Sequence, residues 1–308
     1  MIFYFVPCNT AKAYGIIIKK AKEKKVMGEI DIPVFETKNM RSFSANGKIV
    51  YANGSEEMIP HGLSEVAARA YKKRADIVSV VLPSGVKRIG ASAFSWCTSL
   101  ESIVIPDSVT SIGGDAFEYC ENLASIVIPP DVRTVCKGAF EYCTGLRSVT
   151  LPEGLEKIGE AAFHGCESLE AVKLPESIFT IGDNAFLRCK KITEIEIPSR
   201  IAEIGNCAFS ECDSLMNVKI SFGAQYIVSG KIWLGSGAFS HDRKLVSVSI
   251  PKGVKEISGN TFEYCESLEN IYYEGSRSDW RKIKIGKFGN DKLNGNIFKR
   301  AKVHYECK

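Results

Sequence analysis

The chain has 308 residues, 45% hydrophobic and 25% charged, with a mean hydropathy close to zero; this is the make-up of a folded protein and excludes disordered and fibrous classes. No stretch approaches the ~18 apolar residues that cross a bilayer as a helix, so no membrane span is expected. The net charge of +4 conceals a division, +3 over residues 1–60, −5 over 61–270 and +6 over 271–308, unlike the one-sided basic face that nucleic acid requires.

Residues 1–59 read as a small α+β segment. "IFYFV" suits a strand, residues 9–25 a basic helix, "GEIDIPVF" a second strand, and "SANGKIVYANGS" a hairpin built on Asn-Gly turns. Such a segment would cap the repeats that follow, because the end of a repeat array needs a polar cover. The start lacks a basic n-region, and its apolar run of six is shorter than the ~7–15 of an export signal. The chain as written therefore reads as cytoplasmic, with surface display or secretion as the alternative.

From residue 60 a fixed period takes over. Phenylalanines stand at 94, 117, 140, 163, 186 and 209, each 23 apart, resume at 239 and 262, and are extended backwards by Tyr71. Prolines at 60, 83, 106, 129, 152, 175, 198 and 251 and a leucine or isoleucine six residues after each phenylalanine move in step. Nine units result, eight of that same length and one, at 221–250, longer by seven. Each reads Pro-x-x-Val-x-x-Ile-Gly-x-x-Ala-Phe-x-x-Cys-x-x-Leu-x-x-Ile-x-Ile. The last part alternates like a short strand, which the next proline ends. The glycines predict a flexible turn leading into a helical or 3₁₀ segment that carries Ala-Phe-x-x-Cys. A unit this short cannot bury its apolar side alone, so units must stack, with ~4.8 Å between strands.

Stacking also explains the repeated cysteines. Cys97, Cys120, Cys143, Cys166, Cys189, Cys212 and Cys265 occupy one column and read as small buried side chains. Zinc would want local Cys-x-x-Cys pairs, and none occurs. Parallel side chains in a ladder do not present disulfide geometry naturally. No metal and no cofactor are expected.

The ordered motifs "VxxIG", "AFxxC" and "LxxIxIP" resemble the BspA-like class of leucine-rich repeats over residues 60–273, the greater part of the chain. The tail "IYYEGSRSDWRKIKIG…AKVHYECK" resembles the closing segment of such proteins. The resemblance implies a leucine-rich repeat solenoid, an α/β repeat of short strands and short helical or 3₁₀ segments. Residues 1–59 would cap one end and 274–308 the other. It also implies binding of host proteins or other cells, as in surface members of the class.

Solenoids bind through the variable positions that their ladders display. On the concave sheet one outward row reads Val81, Val104, Val127, Thr150, Lys173, Glu196, Lys219, Ser249 and Tyr272; the other reads Ser79, Ser102, Ser125, Ser148, Ala171, Glu194, Asn217, Ser247 and Asn270. Three valines flanked by serines form an apolar patch, which is either a contact surface or ground covered by the N-terminal segment. Trp96, Tyr119 and Tyr142 form a second stripe, either binding anchors or a shield for the flank. The enlarged unit adds Phe222, Tyr226 and Trp233, expected on a projecting loop. There is no Gly-x-Ser-x-Gly, phosphate loop or His-Glu-x-x-His. The sequence thus predicts a non-enzymatic protein binder, monomeric rather than oligomeric. Its rivals are a surface adhesin, a targeting arm for an activity in residues 1–59, and edge-to-edge structural assembly.

Overall fold

The computed structural model describes residues 47–221, 233–258, 260–286 and 297–307, with Trp233 and Lys299 described by their backbone alone. The strand–helix–strand expected within residues 1–46 lies outside the described residues. The described residues form a β-solenoid of about nine turns, spaced by the period of the sequence. Here each turn is called a rung.

Every rung contributes to parallel ladders on two sides. One side carries the strands expected from the Leu-x-x-Ile-x-Ile segment: Ile77–Val81, Ser102–Val104, Ser125–Val127, Ser148–Thr150, Glu194–Ile197, Asn217–Ile220, Ser247–Ile250 and Asn270–Tyr273. Ala171, in the rung between Thr150 and Glu194, makes one isolated parallel bridge to Ser148. The second side is built from two-residue strands that the sequence did not announce, among them Arg88–Ile89, Ser111–Ile112, Thr134–Val135, Lys157–Ile158, Thr180–Ile181 and Glu203–Ile204. They fall on Val-x-x-Ile, whose last residue points inward and is buried. Register is one unit per rung, as in Ile158 beside Ile181 and Ile195 beside Val218.

The core between the ladders is the phenylalanine column. Successive rings from Tyr71 to Phe262 stand 5.1 to 5.7 Å apart and within 11° of parallel. Each phenylalanine of the column is 1% exposed or less, so each contributes ~1.5–3 kcal/mol through burial.

The Ala-Phe-x-x-Cys segment is not helical, contrary to the sequence expectation. Along it the N–H groups alternate in direction. Ala93, Ser95 and Cys97 donate three residues back, to Gly90, Ser92 and Phe94, whereas Ser92, Phe94 and Trp96 donate to Gly114, Ala116 and Glu118 of the next rung. Two residues per rung hold this alternation by taking left-handed φ, for example Ser92 at 53° and Trp96 at 65°, which breaks a right-handed helix at each point. Among the described residues only Arg277–Trp280 and Ile297–Arg300 are helical. The first is closed by a capping box between Ser276 and Asp279.

The repeat glycines serve close approach and not a flexible turn, a second correction. A Cβ on Gly90, Gly113, Gly159, Gly182 or Gly205 would lie 2.4–2.8 Å from a backbone nitrogen of the preceding rung. Their own N–H groups bond across that narrow gap, as from Gly159 to Val135 at 2.8 Å and from Gly205 to Ile181 at 2.8 Å. Cys136 and Ser258 occupy the same column, and the two-residue ladder breaks at both. It divides into three strands ending at Ser111–Ile112, five from Thr134–Val135 to Trp233–Leu234, and two, Glu256–Ile257 with Lys284–Ile285. Across the Cys136 gap the other ladder is interrupted too, between Ser102–Val104 and Ser125–Val127.

At the N-terminal end the predicted hairpin is present. Strands Gly47–Tyr51 and Glu56–Ile59 are antiparallel, and the first also pairs antiparallel with Ile77–Val81. At the other end Lys302–Tyr305 pairs in parallel with Asn270–Tyr273, so the tail adds one more rung. No helix among the described residues is long and apolar enough to cross a membrane.

Candidate functional site

The register assembles the outward row predicted on the longer strands in three stretches, with breaks between Val104 and Val127 and around Lys173, which lies outside any strand. Val81 stands beside Val104, Val127 beside Thr150, Glu196 beside Lys219, and Ser249 beside Tyr272. Val81 and Val104 are half-buried by their neighbours, whereas Val127 is 55% exposed and Thr150, Lys173, Glu196 and Lys219 are exposed. The N-terminal hairpin does not lie over the valines. It joins the sheet edge to edge and prolongs the row, because Lys48 faces Val81 on one side and Met58 on the other. Met58, also 55% exposed, ends an apolar row interrupted by one lysine, whose ammonium reaches Glu56. Sequence reasoning missed Lys48 and Met58. The Asn-Gly turn gave the hairpin, but nothing local told which strand it would pair with.

Further along, the row changes character. Lys219 Nζ lies 2.6 Å from Glu196 Oε1. That hydrogen bond holds the Glu196 carboxyl below its ordinary range and Lys219 above its own. At the C-terminal end Tyr272 stacks on His304 at 4.8 Å, and Asn270 Oδ1 lies 3.0 Å from His304 Nε2.

The second predicted stripe is also brought together. Trp96 stacks on Tyr119 at 4.1 Å and Tyr119 on Tyr142 at 4.7 Å. The stack ends because the next residue of the column is Gly165, where a Cβ would meet the Tyr142 ring at 2.6 Å. His164 instead leans on Tyr142 at 4.7 Å. All three aromatic residues have left-handed φ, 65°, 57° and 56°, a region that bulky side chains rarely enter. Trp96 is 39% exposed and the tyrosines are half-buried. Partial burial, then Tyr142, Glu118, Glu141 and Glu121, raises the Tyr119 hydroxyl pKa. Beyond Trp96 the surface forms a groove lined by Lys72, Lys73, Ala75, Trp96 and Thr98.

Of the third group, Phe222 and Tyr226 lie outside the described residues. Trp233 was expected on a projecting loop, but its backbone is part of a strand, Trp233–Leu234, that pairs with Glu203–Ile204. The seven additional residues are therefore taken up before Trp233, between Ile220 and that strand.

The cysteine column faces the interior. Each thiol donates to the carbonyl one rung back, Cys120 to Phe94 at 3.2 Å, Cys143 to Phe117 at 3.1 Å and Cys166 to Phe140 at 3.2 Å. Burial pushes these thiols well above the ordinary range. Asp242 takes the cysteine position in the enlarged unit. It is fully buried, with Oδ1 accepting the Cys212 N–H at 2.8 Å and Oδ2 without a partner among the described residues. Burial raises its carboxyl pKa, so the neutral acid is favoured. No cluster of three or more metal-binding side chains occurs among the described residues.

A family model described as a BspA-type leucine-rich repeat region matches in overlapping stretches, 64–191, 134–232 and 180–302. Among solved structures, a leucine-rich repeat protein from Bacteroides ovatus is 26% identical, with a TM-score of 0.50, over 84% of this chain and 70% of that one. A T. pallidum leucine-rich repeat protein is 29% identical over 61% of this chain and 74% of its own, with a TM-score of 0.45. The pneumococcal vaccine antigen PcpA is 19% identical over 74% and 72%, with a TM-score of 0.44. No curated protein matches the sequence.

Proposed function

The chain belongs to the BspA-type leucine-rich repeat family, one that commonly mediates protein interaction or adhesion, and from that premise we propose that it is a non-enzymatic scaffold that binds a protein partner. Contact is made through the outward face of the longer strands at their N-terminal end. The observation that carries this reading is the row Met58, Lys48, Val81 and Val104, aligned by strand register, with Val127 at the same repeat position one rung on across the gap in the ladder, and with Met58 and Val127 its most exposed members. Such a row is rigid before binding, so covering it orders little. At ~25 cal/mol per Å² its apolar area contributes a few kcal/mol, enough to matter for a micromolar complex. Glu196 and Lys219 farther along set orientation more than affinity. The buried ionisable groups described above, the cysteine column and Asp242, face the core, where no substrate reaches them.

The test is Val104→Glu, and separately Val127→Glu, in the full chain. Each puts a charge on the row without touching the inward column. A partner that co-purifies with wild type should be lost from both variants while their melting curves stay unchanged. Full retention on two folded variants refutes this site and moves attention to the segment containing Phe222 and Tyr226.

A further inference from the structure

The edge bearing Trp96, Tyr119 and Tyr142 breaks a pattern of charge that recurs along the solenoid. Side chains of one column meet between neighbouring rungs, and several such columns place opposite charges together. Arg88 pairs with Glu65, Lys137 with Glu160, Arg188 with Glu211, and Lys190 with Glu167. The column beside the aromatic strip runs Ser95, Glu118, Glu141, His164. Two carboxylates thus stand in consecutive rungs, about 5 Å apart by strand spacing. Ser95 Oγ donates to Glu118 at 2.9 Å, and His164 Nδ1 lies 2.9 Å from Glu141; among the described residues no lysine or arginine bridges the pair. Glu121 adds a third carboxylate whose field reaches Tyr119.

The strip itself is aromatic and rigid, each ring stacked on the next. The aromatic side chains fill the left-handed position that recurs along the solenoid, with Lys73 before Trp96 and Gly165 after Tyr142. Stacked rings show solvent their edges and the tyrosine hydroxyls, an aromatic surface of the kind that anchors protein contacts. We propose that this strip docks a basic amphipathic segment of a protein partner. Its apolar side chains lie along the ring edges of Tyr119 and Tyr142, and its lysines or arginines fall on Glu118, Glu121 and Glu141, relieving the repulsion between stacked carboxylates. Lys72 and Lys73 at the Trp96 end repel cations, whereas the cations nearest the tyrosine half, Lys137 and Arg188, are neutralised by Glu160 and Glu211, so the basic residues sit over the tyrosine half. The strip shares no residue with the valine row.

The experiment uses the full chain and two synthetic amphipathic peptides, one of leucine and lysine and one of leucine and glutamate, followed by fluorescence polarisation. The lysine peptide should bind at least ten-fold more tightly than the glutamate peptide and weaken as salt rises. Glu118→Gln with Glu141→Gln should weaken it about ten-fold. Tyr119→Asn, which tolerates left-handed φ and keeps every carboxylate, should weaken it comparably, separating docking from general attraction of cations. Val127→Ser should change nothing, so failure of the sheet-face reading is told apart from failure here. Should the double variant melt early, Glu118→Gln alone replaces it. Equal binding of the two peptides, or full retention by Tyr119→Asn, overturns the proposal.

Discussion

Cys143 donates its thiol proton to the main-chain carbonyl of Phe117, 3.1 Å away and one rung back, while its own N–H donates to Phe140 at 3.2 Å. The Phe140 carbonyl in turn accepts the thiol of Cys166 at 3.2 Å. Each phenylalanine carbonyl along this stretch thus takes two donors, one from its own rung and one from the next. That is why the column wants a small side chain with a weak donor. Alanine is smaller by the sulfur atom and leaves the second acceptor site empty.

Cys143→Ala should therefore cost about 1–2 kcal/mol, combining a lost buried hydrogen bond with a small cavity, measured by urea denaturation. The native thiols should also label in two classes. Burial raises Cys97 to about 12 and the rest of the column upward, so little thiolate exists near pH 8. Cys136, Cys207 and Cys307 are only half-buried and should react first. Rapid native modification of Cys120, Cys143 or Cys166, located by peptide mass spectrometry, would contradict the ladder.

Much of this architecture was legible in the sequence because a strict period multiplies one weak signal. Phe117 alone says little; phenylalanines recurring at one constant interval say that they stack. The outward rows followed from strand alternation once the period was known. What stayed hidden depends on contacts between rungs. The two-residue strands at Val-x-x-Ile are too short for any alternation to show. The left-handed φ of Tyr119 and Tyr142 contradicts residue preference and is imposed by bonds to Glu141 and His164 of the next rung. The placement of Lys48 beside Val81 is a tertiary pairing with no local mark.

Phe140→Ala tests the stacked core. The ring lies between Phe117 at 5.3 Å and Phe163 at 5.3 Å and is fully buried. Its removal should cost ~3–5 kcal/mol through lost transfer and a cavity. Because a solenoid is held by nearest-neighbour interfaces, the variant should unfold in two steps by calorimetry. An unchanged melting temperature would exclude the buried ladder.

Asp242 should make stability depend on pH in a defined direction. Burial raises its folded pKa above the unfolded value. Such a group contributes its full stability below the unfolded pKa, near 4, and loses it as pH rises through the folded pKa. Oδ2, with no partner among the described residues, gains nothing from ionising. Asp242→Asn keeps an acceptor for the Cys212 N–H and carries a permanent neutral donor. The variant should match wild type at acid pH and surpass it increasingly toward pH 8, read from paired melting curves. A gap that shrinks with rising pH would reverse the assignment.

The glycine column yields the sharpest reversal of ordinary rules. Gly→Ala usually stabilises by ~0.4–1 kcal/mol through the unfolded chain, and the opposite change costs as much. At Gly159 a Cβ would stand 2.8–2.9 Å from Lys137 N, Cys136 C and Val135 O, all backbone atoms that cannot swing aside. Gly159→Ala should therefore force the rungs apart, break the bond to Val135 and cost about 1–3 kcal/mol. Cys136 already carries a Cβ at the equivalent place, and there both ladders are interrupted, between Ile112 and Val135 and between Val104 and Val127. Cys136→Gly removes the obstacle. The regained main-chain bond to Ile112, worth ~0.5–1.5 kcal/mol, offsets the entropy that glycine loses on folding. Net stability should change by less than about 1 kcal/mol, but amide exchange at position 136 should slow at least ten-fold. If instead Gly159→Ala stabilises the protein, close approach is not what the column requires. If exchange in Cys136→Gly stays fast, the gap has another cause than the side chain at 136.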